Sequence, residues 1–181
     1  MSARSRKEAQ NAYLGPIRES LSCIASPADN YLVTSKSVVS QSGALVVVFG
    51  RKVISLAGTD LSFYFEQTFH PVEDESGYFK VRTDAYIYRV DRSVDGDGHE
   101  EVVSYHWHPQ TTDAILFPHL HIHITSDPHV NRIHFPTGRM SLERLLLFMI
   151  RDYGVKPRRE DWSFVLLKNL EDFERRRSWQ S

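Results

Sequence analysis

Five histidines stand in two alternating runs of this chain, Tyr105-His106-Trp107-His108 and His119-Leu120-His121-Ile122-His123-Ile124-Thr125. The imidazole pKa lies near neutrality, so one ring can take a proton while another gives one, and an unprotonated ring nitrogen can bind a metal. On a β-strand successive side chains point to opposite faces. His119, His121 and His123 then share one face, and Leu120, Ile122 and Ile124 the other. His106 and His108 oppose Tyr105 and Trp107 in the same way. The apolar partners mark the core side, which gathers the imidazoles on the wet face or in a cavity. Seven of the nine histidines fall between His106 and His134, so this is where function is sought.

Two further segments alternate. In Leu61–Phe69 the residues Leu61, Phe63, Phe65 and Phe69 share a face. In Tyr78–Val90 the residues Phe79, Val81, Ala85 and Ile87 are expected inward, with Lys80, Arg82, Asp84, Tyr86 and Tyr88 outward. If these strands neighbour the histidine runs, one sheet face carries acids, cations, phenols and imidazoles together. That inventory suits phosphodiester cleavage or nucleotidyl transfer on RNA or a nucleotide, without a metal. His106, His108, His119, His121 and His123 are its expected catalytic groups, one imidazole acting as base or nucleophile and another as acid. Lys80 or Arg82 would stabilise charge on the phosphoryl oxygens, with Tyr86 and Tyr88 as substrate-binding donors.

The same five histidines support a second reading. A His-x-His pair places two imidazoles on one side of a strand, about 7 Å apart at the backbone, which is half of a zinc, iron or copper site. Two such pairs on adjacent strands supply three or four nitrogen ligands for zinc or another divalent transition metal. Alternating histidines can also be plain solvated partners in cross-strand pairing. A reading of a different class is a non-catalytic interaction module whose C-terminal helices bind a protein partner. Exposed apolar residues on the outer side of Leu142–Tyr153 would favour it.

The run His119-Leu120-His121-Ile122-His123-Ile124-Thr125 resembles the histidine-triad signature. That resemblance implies nucleotide hydrolysis or transfer through a phospho-histidine, with His121 as nucleophile and His119 and His123 supporting it. The order of Tyr105–His108, His119–His123, Ile133–Phe135 and Leu142–Tyr153 is similar to that of TumE-like toxins of toxin–antitoxin pairs. It implies a toxin or defence role and an antitoxin as protein partner.

Arg132-Ile133-His134-Phe135-Pro136-Thr137-Gly138-Arg139 precedes a helix, and a helix N-terminus can hold an anion through backbone N–H groups. Arg132, Thr137 and Arg139 are the candidate contacts, although a short edge strand with solvated arginines fits as well. Arg158-Arg159 and Arg175-Arg176-Arg177 read as solvated charge, the last three balanced by Glu171, Asp172 and Glu174 one turn earlier. Trp107, Trp162 and Trp179 read as core or helix anchors.

Positioning these residues falls to an α+β domain. Its 181 residues, 41% hydrophobic and 25% charged, suit one globular domain over 1–181. A net charge of −1 argues against a general polyanion binder. A single cysteine, Cys23, excludes an intrachain disulfide. With no apolar leader or membrane-spanning run, the expected location is the cytoplasm and no membrane contact is expected. Residues 1–10 are expected to be polar and mobile. A helix is expected over 16–26, opened by Pro16 and closed by Ser26-Pro27. An antiparallel sheet is expected over 31–135, including a turn at Asp95-Gly96-Asp97-Gly98. Two helices are expected over 141–178, the first capped by Ser141 and ended by Gly154. The expected architecture is a curved antiparallel sheet or half-barrel packed by these helices.

Overall fold

The structure is a computed structural model that describes residues 3–26, 32–34, 38–40, 43–50, 53–94, 98–109, 115–124 and 129–177. The expected turn residues Asp95, Gly96 and Asp97, most of the loop after Pro109, and Pro27, Tyr31, Lys52, Thr125 and Trp179 lie outside that set.

Helix α1 spans Arg6–Leu21, ten residues earlier than Pro16 alone suggests. Ser5 explains the early start. Its side chain accepts from the Glu8 N–H, and the Glu8 carboxylate accepts from the Arg4 N–H, so the first turn is capped from both sides. Arg6–Gln10 are therefore helical, and Pro16 sits inside the helix rather than opening it. Gly15 before it has no Cβ to meet the proline ring.

The strands are β1 (Leu32–Thr34), β2 (Val38–Ser40), β3 (Gly43–Gly50), β4 (Ile54–Ser55), β5 (Leu61–Glu73), β6 (Phe79–Val94), β7 (Gly98–Trp107), β8 (His119–Ile122) and β9 (Phe135–Pro136). They pair in the order β1-β3-β5-β6-β7-β8-β9, with β2 on β3 and β4 on β5. Every described pairing is antiparallel. The sheet is open and does not close into a barrel.

Helices α2 (Leu142–Asp152) and α3 (Trp162–Arg177) follow. Ser141 caps α2 by accepting from the Arg144 N–H, and Gly154 ends the segment at φ +73°. All three helices contribute to one core, in which Leu14, Ile17, Leu21, Leu145, Leu146, Met149, Val165 and Leu166 meet Phe63, Phe65, Tyr88 and Trp107 of the sheet. Asn169 of α3 and Glu143 of α2 meet at Ser20 of α1, whose hydroxyl donates to Glu143 and accepts from Asn169.

Two β-bulges decide which side chains share a face. In the β5–β6 ladder Thr68 pairs with Ala85 and Phe69 with Thr83, so Asp84 is an extra residue. Beyond it the parity of β6 inverts. Val81 packs against the core and Thr83 meets Tyr13 of α1, but past the bulge Tyr86, Tyr88 and Val90 face the helices. The expectation that Tyr86 and Tyr88 bind substrate on the wet face is therefore corrected. They are 4% and 1% exposed and stack on each other, and Tyr86 accepts from the Met140 N–H. Ile87, expected inward, lies on the opposite face.

The second bulge is in β7, where Val90 pairs with Val103 and Asp91 with Glu101, leaving Val102 extra. It turns Glu101 onto the face of Ser104 and His106, where plain alternation would put Glu100.

Candidate metal centre

Residues paired across a ladder share a face. One face of the sheet carries the rows Phe65–Tyr88–Tyr105–Leu120 and Phe63–Val90–Val103–Ile122, against which the helices pack. The other carries Glu66–Ile87–His106–His119 and Tyr64–Arg89–Ser104–His121. The apolar partners of each histidine thus hold β7 and β8 to the core, and the imidazoles project from the face without helices.

Pairing of β7 with β8 sets His106 directly opposite His119 and His121 opposite Ser104. The ring centroids of His106 lie 5.6 Å from His119 and 4.9 Å from His121, and those of His119 and His121 are 5.0 Å apart. One nitrogen from each of these three rings lies within 4.8 Å of the other two. His108, just past the end of β7, stands 5.6 Å from His106 and 5.7 Å from His119.

A fifth imidazole joins them. His134, just before β9, lies edge-on to His119 at 5.0 Å and to His121 at 4.5 Å. Alternation could not find it, because it follows a 3-10 turn (Val130–Arg132) rather than lying in a strand; its only sequence signal is its place in the histidine-dense region. With the rings of His106, His108, His121 and His134 around it, His119 is only 2% exposed. Phe117 adds an edge 6.2 Å from the same ring. His119 Nδ1 is 3.0 Å from the Phe117 carbonyl oxygen. Donating its N–H there leaves Nε2 as the nitrogen with a lone pair, the arrangement that orients metal-binding histidines.

His123 stands apart, its ring 6.5 Å from His121 and its Nε2 3.0 Å from Glu101 Oε1. The Ser104 hydroxyl donates to the same carboxylate. Burial first, and then repulsion from the other rings, pushes the pKa of His106 down to about 3. His108 and His121 are also lowered, by burial ahead of their histidine neighbours, with Glu101 partly opposing the shift at His121. These three rings are neutral near pH 7.

The other expected contacts do not join this cluster. Lys80 and Arg82 lie seven and five residues along β6 from Ile87, the partner of His106. At about 3.3 Å per residue that is ~23 Å and ~17 Å. Lys80 pairs instead with Asp74 at 3.2 Å. His70 holds Asp84 at 2.6 Å, and Tyr64 donates to Glu66 at 2.7 Å. Arg132 ends the 3-10 turn, exposed. Thr137 donates its N–H to the Pro118 carbonyl, and Arg139 stacks 3.7 Å over the Trp107 ring. These contacts hold the segment against β8 and the core edge.

No protein-family model matches the chain, and no curated protein or solved structure matches it. The histidine-triad and TumE-like resemblances therefore rest on the quoted residues alone, and what is shown is a cluster of three close imidazoles, His106, His119 and His121. Among the described residues no helix is long and apolar enough to cross a membrane.

Proposed function

We propose that the chain is a metalloprotein in which His106, His119 and His121 hold one divalent transition metal, zinc in first place. The observation that carries this is the set of three imidazole nitrogens within 4.8 Å of one another, drawn from two paired strands. A tetrahedral metal with bonds of about 2.0–2.1 Å needs nitrogens roughly 3.3 Å apart, so the three rings would draw inward on binding. Imidazole suits zinc, copper, iron and nickel, and three protein ligands leave coordination positions open for water or substrate. The metal reading supports catalysis without the distant Lys80 and Arg82. Metal-free phosphodiester cleavage has less support, because those cations are remote and three of the rings are neutral.

Elemental analysis of the purified protein, followed by zinc titration of the stripped chain, tests the reading. The expected result is one zinc per chain, with His106→Ala, His119→Ala and His121→Ala each weakening binding at least 100-fold while His70→Ala leaves it unchanged. A folded wild-type chain that takes up no zinc, copper, iron or nickel would overturn it.

The interaction-module reading draws on a separate observation. Phe148 of α2 and Phe164 and Leu167 of α3 are exposed, Phe164 to 70%. Phe164→Ser/Leu167→Ser would lower the yield of a co-purifying partner if the helical layer docks one, and leave zinc binding intact.

A further inference from the structure

We infer that the centre at His106, His119 and His121 is built to take an anionic ligand, so that its substrate presents an oxyanion, a carboxylate or a phosphate ester, to the metal. This inference rests on the metal reading above. Its own support is the charge of the donor set.

All three candidate ligands are imidazoles, and among the described residues no carboxylate completes the group. Neutral ligands leave a divalent ion with its whole charge in a place where His119 is shut off from water. A low-dielectric site makes an uncompensated charge costly and an arriving anion correspondingly favourable. The nearby acid, Glu101, is already engaged by His123 at 3.0 Å and by the Ser104 hydroxyl. The one cation in the adjoining row, Arg89, is held by Asp91 at 2.9 Å. The local acid is therefore not set to neutralise the ion in place of an arriving anion.

The ligand would approach from the side away from the sheet. The three rings all rise from one sheet face on two strands, so they cap the metal from below. His134 and His108 flank the group, their rings 4.5–5.7 Å from its members. An imidazole carries at least one N–H whether or not it is protonated. These two rings can therefore donate to an oxygen bound at the metal, as charge-assisted hydrogen bonds to the anion.

Cobalt(II) in place of zinc gives a visible spectrum that reports its ligands. The test is titration of the cobalt-loaded chain with azide, then inorganic phosphate and acetate, with free imidazole as the neutral competitor. Azide and phosphate are expected to change the spectrum saturably, at lower concentration than imidazole does. His108→Ala/His134→Ala is expected to keep cobalt and to lose anion affinity about tenfold or more. Cobalt bound with a spectrum that anions leave unmoved, or that imidazole moves more readily, would overturn this inference and leave the metal reading standing. Loss of cobalt from the double variant would make the flanking rings ligands and overturn their role as donors. A wild-type chain that binds no cobalt would overturn both readings.

Discussion

His119 shows what burial among like groups does to a titratable side chain's neighbours. Around it, His106, His108 and His121 are held neutral, His106 down to about pH 3. In the unfolded chain each protonates near pH 6.5. Between those values the unfolded state binds the extra protons, so in the metal-free protein the stability tied to His106 is whole above about pH 6.5 and is lost progressively as pH falls toward 3. The slope reaches up to about 1.4 kcal/mol per pH unit for His106. Urea midpoints at pH 7.5 and 4.5 should converge in His106→Gln relative to wild type; an unchanged gap would contradict the assignment. The five histidines were legible as a set because alternation with Leu, Ile, Tyr and Trp names their face. Glu101 and the burial of Tyr86 and Tyr88 were not. One unpaired residue, Val102 or Asp84, reverses the parity of everything beyond it, and a bulge has no reliable mark in a single sequence.

Among the elements, α1 departs furthest from its reading. Proline is a good first helical residue, but Ser5 and Glu8 supply a stronger start, and the helix runs through Pro16. Its ring leaves the Ala12 carbonyl without the usual donor. Pro16→Ala should therefore stabilise the protein by roughly 1–2 kcal/mol, the helical gain being offset in part by a freer unfolded chain. Gly15 has open space where a Cβ would stand. Alone, Gly15→Ala sets that Cβ against the proline ring and gains little; beside Pro16→Ala it should gain about 1 kcal/mol. Unfolding midpoints of the two single variants and the double form a cycle, and simple additivity would show the two residues uncoupled. The C-terminal helices were legible, by contrast. The spacing of Leu142, Leu145, Leu146 and Met149 and the caps Ser141 and Gly154 agree with one another, and no competing signal intervenes.

At the scale of the molecule, three helices cover one face of an open antiparallel sheet, and the face they leave bare carries the histidines. The α+β class followed from alternating strands before periodic helices. The turn between β6 and β7 marks them as antiparallel neighbours and the two histidine runs pair as their shared alternation suggests, but nothing local tells β5 to pair with β3 past β4. A ligand bound only by the native state raises stability by RT ln(1 + [L]/Kd). Zinc at a hundred times its Kd should add about 2.7 kcal/mol, a rise in Tm of roughly 5–10 °C for a chain of this size. Thermal scans with and without zinc should show this rise in wild type and lose it in His121→Ala. An equal rise in both would place zinc elsewhere.

The sheet stops at β9, only two residues long and ending in Pro136, which pairs with His119. The Thr137 N–H points back to the Pro118 carbonyl. Successive backbone groups alternate sides in an extended strand, so the nitrogen of residue 136 looks outward, where proline has no hydrogen to offer. A strand from a neighbouring molecule finds no donor at that position to begin a ladder. Growth of the sheet by edge pairing is disfavoured beside the imidazoles.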